Sequence, residues 1–226
     1  MTPEHDWLFV GGIMRSGTTL MARLLSLHPE GFVTAECGWS LDIYWGLALP
    51  PAGYSYAKFG TRGSTKTATV QWHTLRLSQY DDPVAVTRAM LDGYIDRLHP
   101  GVRVCGDKWP LFGALHPDGS GRRCWEDLRV VWPDCKILWM NRDYEAAIAS
   151  ACRTWPHGEE ATWRTNALER LEGQRLCPDA HWVQLEDLNA RPREIMEGVL
   201  EFAGLDGADY PWEKFDAHFV EGHRVN

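Results

Sequence analysis

Helices alternating with short, continuously apolar strands along 226 residues predict an α/β fold: one domain over 1–226, with a central parallel sheet flanked by helices. Two observations anchor that reading. The run Leu8-Phe9-Val10, broken by Gly11 and Gly12 and followed by helical spacing through Leu20, Leu24 and Leu27, reads as strand, tight loop, helix. Two later apolar strands, Val102 to Cys105 and Lys136 to Met140, each deliver a cation just past their ends, Lys108 and Arg142. In open α/β sheets that is the edge where ligands bind.

The loop between the first strand and helix, Gly12 to Thr19, is GIMRSGTT. It keeps the glycine spacing of the nucleoside-triphosphate loop G-x-x-x-x-G-K-[ST], but Thr18 stands where the lysine belongs. Backbone N–H groups around Ser16, Gly17, Thr18 and Thr19, at the positive end of a helix, can still cradle a phosphate. What is missing is the lysine that reaches a γ-phosphate. Arg15 and the three hydroxyls remain, so the expected ligand is a 5′-phosphate carrying something other than a triphosphate chain. No second aspartate motif for a metal accompanies the loop, and no metal is expected.

Composition narrows the partners. With 23 Lys and Arg against 31 Asp and Glu the formal charge is −8, which argues against nucleic acid and requires any anion to be held by a local cluster. The acidic start MTPEHDW has no signal-peptide pattern and no segment reaches the apolar length of a membrane span, so the expected location is cytoplasmic with no membrane partner. Cys37, Cys105, Cys124, Cys135, Cys152 and Cys177 form no C-x-x-C pair and read as buried free thiols.

Along the chain, His28-Pro29 stops the first helix, and Phe32-Val33-Thr34 forms a second strand that leaves Glu36 just beyond its end. From about 38 to 80 the pattern loosens into an aromatic-rich, glycine-punctuated segment, read as an acceptor-binding or lid region with Trp39, Tyr44 and Trp45 as its contact residues. Asp81-Asp82-Pro83 opens a scaffold helix to about Leu98, with Val84, Met90, Leu91 and Ile95 apolar. Arg122 and Arg123 read as solvated, ahead of a helix buried through Trp125, Leu128, Val131 and Trp132. A helix from Glu159 to Leu176 turns Trp163, Ala167, Leu168 and Leu171 inward; Trp182 to Leu185 is a strand, Glu186 to Leu188 a turn, and Pro192 to Ala203 a helix. The piece from Trp212 to Asn226 is sparse in signals.

Between the strand-end Arg142 and Ser150, two turns into the next helix, the spacing lets a guanidinium and a hydroxyl converge on one anion, with both side chains partly exposed and Arg153 one turn further on. Together these segments resemble the sulfotransferases that use 3′-phosphoadenosine 5′-phosphosulfate (PAPS). FVGGIMRSGTTLMARLLSLHP looks like their 5′-phosphosulfate loop and RDYEAAIAS like their 3′-phosphate motif, although Asn141 replaces a frequent valine. The run Gly106-Asp107-Lys108-Trp109-Pro110 is similar to one in the tyrosylprotein and related bacterial members, and the segment from Leu185 to Leu205 matches a structural one.

The resemblance implies PAPS as co-substrate, adenosine 3′,5′-bisphosphate as product, and sulfuryl transfer to a hydroxyl or amine. It assigns Arg15, Ser16, Gly17, Thr18 and Thr19 to the phosphosulfate and Arg142, Ser150 and Arg153 to the 3′-phosphate. Cytosolic members use a histidine base where this chain has Lys108, and a lysine of ordinary pKa is no base at neutral pH. The tyrosylprotein type uses a glutamate eight residues after the H-P ending the first helix, which here is Glu36. Glu36 is then the base, with Asp107 next in line, while Lys108 and Arg15 stabilise the transferring group and leaving oxygen. Gly222-His223-Arg224 stands where the family has a loop that closes over the nucleotide. A small-molecule acceptor is the first reading; a peptide tyrosine, a kinase-like protein or a non-catalytic nucleotide-binding module are the rivals.

Overall fold

The structure, a computed structural model, describes residues 5–35, 44, 81–116 and 120–220. Five strands form one parallel sheet: β1 Asp6–Gly12, β2 Gly31–Ala35, β3 Val104–Lys108, β4 Lys136–Asn141 and β5 His181–Gln184, in the order β2-β3-β1-β4-β5. The expected parallel α/β architecture is therefore present. β1 lies in the middle because Trp7, Leu8, Phe9 and Val10 are all buried, an apolar run that only a strand covered on both faces can hide.

Period-two alternation sends those side chains to two different cores. Leu8 and Val10 join Met21, Ala22, Leu24 and Leu25 of α1 (Thr18–Leu25) and Met196, Val199, Leu200 and Ala203 of α7 (Pro192–Ala203) on one face. Trp7 and Phe9 join Leu91 and Ile95 of α2 (Pro83–Leu98) and Trp125, Leu128 and Val131 of α3 (Cys124–Val131) on the other. A third cluster, Ile13, Ala147, Ile148 and Ala167, ties the loop after β1 to α4 (Tyr144–Thr154) and α5 (Glu160–Arg175). The chain thus runs outward from β1 to β2, returns through β3, and crosses to β4 and β5. That reversal opens a crevice beside the C-terminal end of β1.

Several local readings need correction. β1 continues through both glycines, since Gly11 and Gly12 still pair with Trp139 and Met140 of β4. β3 likewise runs on to Lys108, paired with Val10 and Ala35, so the lysine ends the strand instead of following it. Arg123 is only 7% exposed: it precedes α3 with a guanidinium donating to the Glu169 carbonyl at 3.2 Å and pairing with Glu172 at 3.3 Å. Arg122 reaches Asp127 at 2.7 Å, and His116 lies 2.9 Å from the other oxygen of that buried carboxylate.

Leu168 is 57% exposed and Met90 also faces outward, while Thr87, hydrogen-bonded to the Pro83 carbonyl, takes the buried place on α2. The expected turn at Glu186 belongs to α6 (Leu185–Ala190), and the signal-poor C-terminal piece forms α8 (Trp212–Val220), held by the fully buried Phe215. Among the described cysteines, Cys105, Cys124, Cys135 and Cys177 are buried and Cys152 half-buried, all free thiols. Among the described residues no helix is long and apolar enough to cross a membrane, and no group of three or more His, Cys, Asp or Glu is placed to hold a metal ion.

Candidate active site

The loop from β1 to α1 is shaped by two glycines for separate reasons. At Gly12 the chain passes so close to β4 that an added Cβ would lie 2.3 Å from the Met140 carbonyl oxygen and 2.5 Å from Ser16 Oγ. Gly17, the N-cap of α1, has φ +89°, a left-handed value that a side chain resists. Being glycine, it also puts no side-chain oxygen over the start of the helix, where first-turn N–H groups attract an anion. The Ser16 hydroxyl is turned inward and fully buried, donating to the Ile13 carbonyl at 2.7 Å. A hydroxyl has one proton, and the Ser16 amide also donates to the Ile13 carbonyl at 3.3 Å, so in this conformation both Ser16 donors hold the loop together. Thr18 is buried and Thr19 half-buried at the head of α1.

Arg15 also has a left-handed backbone, φ +63°, which lifts it from the loop toward α4. Its Nε donates to Ser150 Oγ at 3.1 Å, across 135 positions of sequence. Arg142 comes from the end of β4 and donates from Nη1 to the Arg15 carbonyl at 3.3 Å. Glu186 fixes that strand end, its carboxylate 4.0 Å from the Arg142 guanidinium and 3.2 Å from the Asp143 amide, while Asp143 caps α4 by accepting from the Ala146 amide at 2.8 Å. Arg15, Arg142 and Ser150 therefore meet at one place. Ser150 is only 2% exposed, a correction to its expected partial exposure: the neighbouring Arg15 side chain and the inner face of α4 cover it. Arg153 sits in the last turn of α4 and is exposed.

Lys108 ends β3 between the C-terminal ends of β1 and β2, and is 2% exposed. An ammonium so deeply placed is retained only with partners or a function, since desolvating it unaided is costly. Asp107 and Lys108 are neighbours on a strand and so point to opposite faces. Asp107 shares the side of Cys105 and accepts from Thr34 Oγ1 at 2.9 Å, lining a small cavity with Trp7, Leu91, Tyr94 and Ile95 under α2. Lys108 shares the side of Val104 and α1. Glu36, Trp39 and Trp45 lie outside the described residues, as does Gly222-His223-Arg224. Ala35, the chain neighbour of Glu36, is the register partner of Lys108.

Tyr44 is half-buried and packs against the core cluster of Trp125 and Leu128. Burial first, and then the Asp127 carboxylate, push its phenol above the ordinary tyrosine value, opposed by Arg122. Sequence reasoning missed Trp155, whose indole lies 6.0 Å from the Arg15 guanidinium carbon. The available signal was its position five residues past Ser150 at the end of the same helix.

The model of the sulfotransferase family matches residues 8–209. Protein-tyrosine sulfotransferase A of Caenorhabditis elegans is 24% identical over 148 residues, 64% of this chain, and the chain spans about a third (32%) of that relative's length. Among solved structures, the sulfotransferase domain of the Synechococcus PCC 7002 olefin synthase superposes with a TM-score of 0.61 at 17% identity, covering 100% of this chain and 85% of that one. A sulfotransferase from Mycobacterium avium gives 0.57 at 16% identity, covering 98% and 69%. At these identities the two structures support the fold.

Proposed function

Since the chain belongs to the sulfotransferase family, we propose that it moves a sulfuryl group from PAPS to a hydroxyl or amine of a small-molecule acceptor. The observation that carries this reading is the 3.1 Å hydrogen bond between Arg15 and Ser150, with Arg142 bonded to the same loop. Residues assigned independently to the two anionic ends of one nucleotide converge there. The loop also fits a phosphate: Gly12 allows the close backbone approach and the Gly17 cap leaves the head of α1 to an anion.

When bound, PAPS supplies the sulfuryl group and the bridging oxygen that leaves. The backbone of Gly17, Thr18 and Thr19 and the Thr18 and Thr19 hydroxyls hold its 5′ end, while Arg142 and Ser150, with Arg153 nearby, hold the 3′-phosphate. Arg15 spans the two. Lys108 and Arg15 place positive charge where negative charge grows on the transferring group and leaving oxygen. Glu36 takes the acceptor proton. Trp39, Tyr44 and Trp45 are assigned to the acceptor, whose aromatic and acidic surroundings, including Asp42, suit a planar or cationic molecule. The similarity to a protein-tyrosine sulfotransferase favours a second reading, in which the acceptor is a peptide tyrosine.

Isothermal titration tests the nucleotide half. Adenosine 3′,5′-bisphosphate should bind without magnesium and ATP should not; the reverse pattern would mean a kinase-like protein. Incubation with PAPS and a panel of phenols, tyrosine peptides, sugars and amines tests the transfer, and nucleotide binding with no sulfated product across that panel would favour a non-catalytic module.

A further inference from the structure

Trp155 lies outside every motif of the sequence, yet it touches the side chain on which both ends of the proposed site depend. The Arg15 guanidinium carbon stands 6.0 Å from the centroid of its ring while Arg15 Nε donates to Ser150. What holds Trp155 is independent of Arg15. Its amide closes α4 on the Ala151 carbonyl at 2.9 Å, and its own carbonyl accepts from the Gly158 amide at 2.9 Å, completing a tight turn. Its ring packs on Trp163 of α5 with centroids 5.3 Å apart and planes 33° apart. Trp163 belongs in turn to the cluster of Ile13, Ile148 and Ala167, and it sits so close under the turn that a Cβ at Gly158 would lie 2.5 Å from its ring.

The direction of influence follows from this. Arg15 is a long, flexible side chain on a loop with left-handed backbone, whereas Trp155 is fixed by two helices. The indole is left 43% exposed beside the loop, and its face attracts a cation. We propose that Trp155, braced by Trp163, is a positioning residue that sets the Arg15 guanidinium between the sulfuryl end and the 3′-phosphate end of the donor. This rests on the reading that Arg15 and Ser150 bind PAPS.

A double-mutant cycle on PAPS affinity tests it, using isothermal titration of the full chain with Trp155→Leu, Arg15→Ala and the pair. A cation on an exposed aromatic face contributes modestly, so Trp155→Leu should weaken PAPS about two- to fivefold. In the Arg15→Ala background the same change should have no further effect, and Trp155→Phe, which keeps an aromatic face, should bind better than Trp155→Leu. Wild-type affinity in Trp155→Leu, or the same loss with and without Arg15, overturns the proposal, because a purely structural role would act in both backgrounds. If the leucine variant fails to fold, the phenylalanine variant carries the cycle alone, with near-additive losses counting against the proposal. A wild-type chain that does not bind PAPS overturns the functional reading itself, and this one with it.

Discussion

Ser150 and Lys108 show most directly how this site differs from a surface patch. Both are 2% exposed, so each acts through a few fixed contacts and not through a diffuse field. At a buried position, loss of a charge-assisted hydrogen bond costs roughly 1.5–3 kcal/mol. We expect Arg142→Ala to weaken adenosine 3′,5′-bisphosphate by about that amount in titration, since its guanidinium, held to the loop by the bond from Nη1 to the Arg15 carbonyl, has further N–H donors for the phosphate. Ser150→Ala should cost less, removing one hydroxyl but leaving Arg142 in place. Unchanged affinity in the arginine variant would remove it from the 3′-phosphate site. For the chemistry, Glu36→Gln should keep nucleotide affinity and lower turnover by about 10²–10⁴-fold, the range for a missing general base. The rival base, Asp107, points to the other face of β3 and already accepts from Thr34. Near-normal turnover in Glu36→Gln together with loss in Asp107→Asn would nevertheless transfer the role to Asp107.

At the scale of elements, the end of α1 is fixed by one histidine. His28 Nδ1 accepts from the Glu30 amide at 3.1 Å, so Nε2 carries the proton and donates to the Asp206 carbonyl at 3.0 Å. The ring thereby joins the turn into β2 to the segment that follows α7. His28→Ala would leave both backbone groups without that partner, at about 1–3 kcal/mol for each one that stays dry. A chain of this size loses about 2–4 °C of melting temperature per kcal/mol. Calorimetry should therefore show a drop of several degrees, and an unchanged midpoint would mean that water replaces the ring. The sequence had marked His28-Pro29 only as a helix stop, because a partner almost 180 residues away leaves no local trace. The same limit explains the other misreadings. Spacing placed α1, α3, α7 and the apolar centre of β1, since an apolar stripe reports its own burial, but it ended β1 too early at the two glycines. It failed at Arg123, whose partners on α5 are set by tertiary packing, and at Leu168, where helical period alone cannot separate the edge of a stripe from its centre. Glycine spacing and a strand-end arginine pointed to the loop after β1 and to Arg142 and Ser150, and the structure brings Arg15 of that loop into contact with both residues. Nothing local could announce that Arg15 would bridge them, because that contact exists only once β1 and β4 are adjacent.

Across the whole molecule the two faces of the sheet are closed by cores that share the strands, so the thiols buried in them report on cooperative unfolding. Cys105, Cys124, Cys135 and Cys177 lie in the core under α2 and α3. Burial pushes all four above the ordinary thiol value, Cys135 to about 12 and Cys177 to about 11, both opposed by Arg129. An unfolded chain ionises its cysteines near pH 8.5, so above that pH the unfolded state gains thiolate that the folded state withholds. The stabilising contribution of the neutral thiols is complete below about pH 8.5 and is lost as pH rises toward the folded values, with the unfolded state binding fewer protons throughout that window. Two consequences can be measured on one sample. The melting temperature should be flat in this respect from pH 7 to about 8.5 and fall through pH 9 to 11, and replacing Cys177 with alanine should make that fall shallower. At pH 8, iodoacetamide should leave these four thiols intact in the folded protein and modify them once denaturant is added, with mass spectrometry of peptides identifying each site. Rapid native alkylation of Cys105 or Cys124 would mean that the α2 and α3 side opens without global unfolding. The sheet would then be held chiefly from the α1 and α7 side, where the loop between β1 and α1 takes its support.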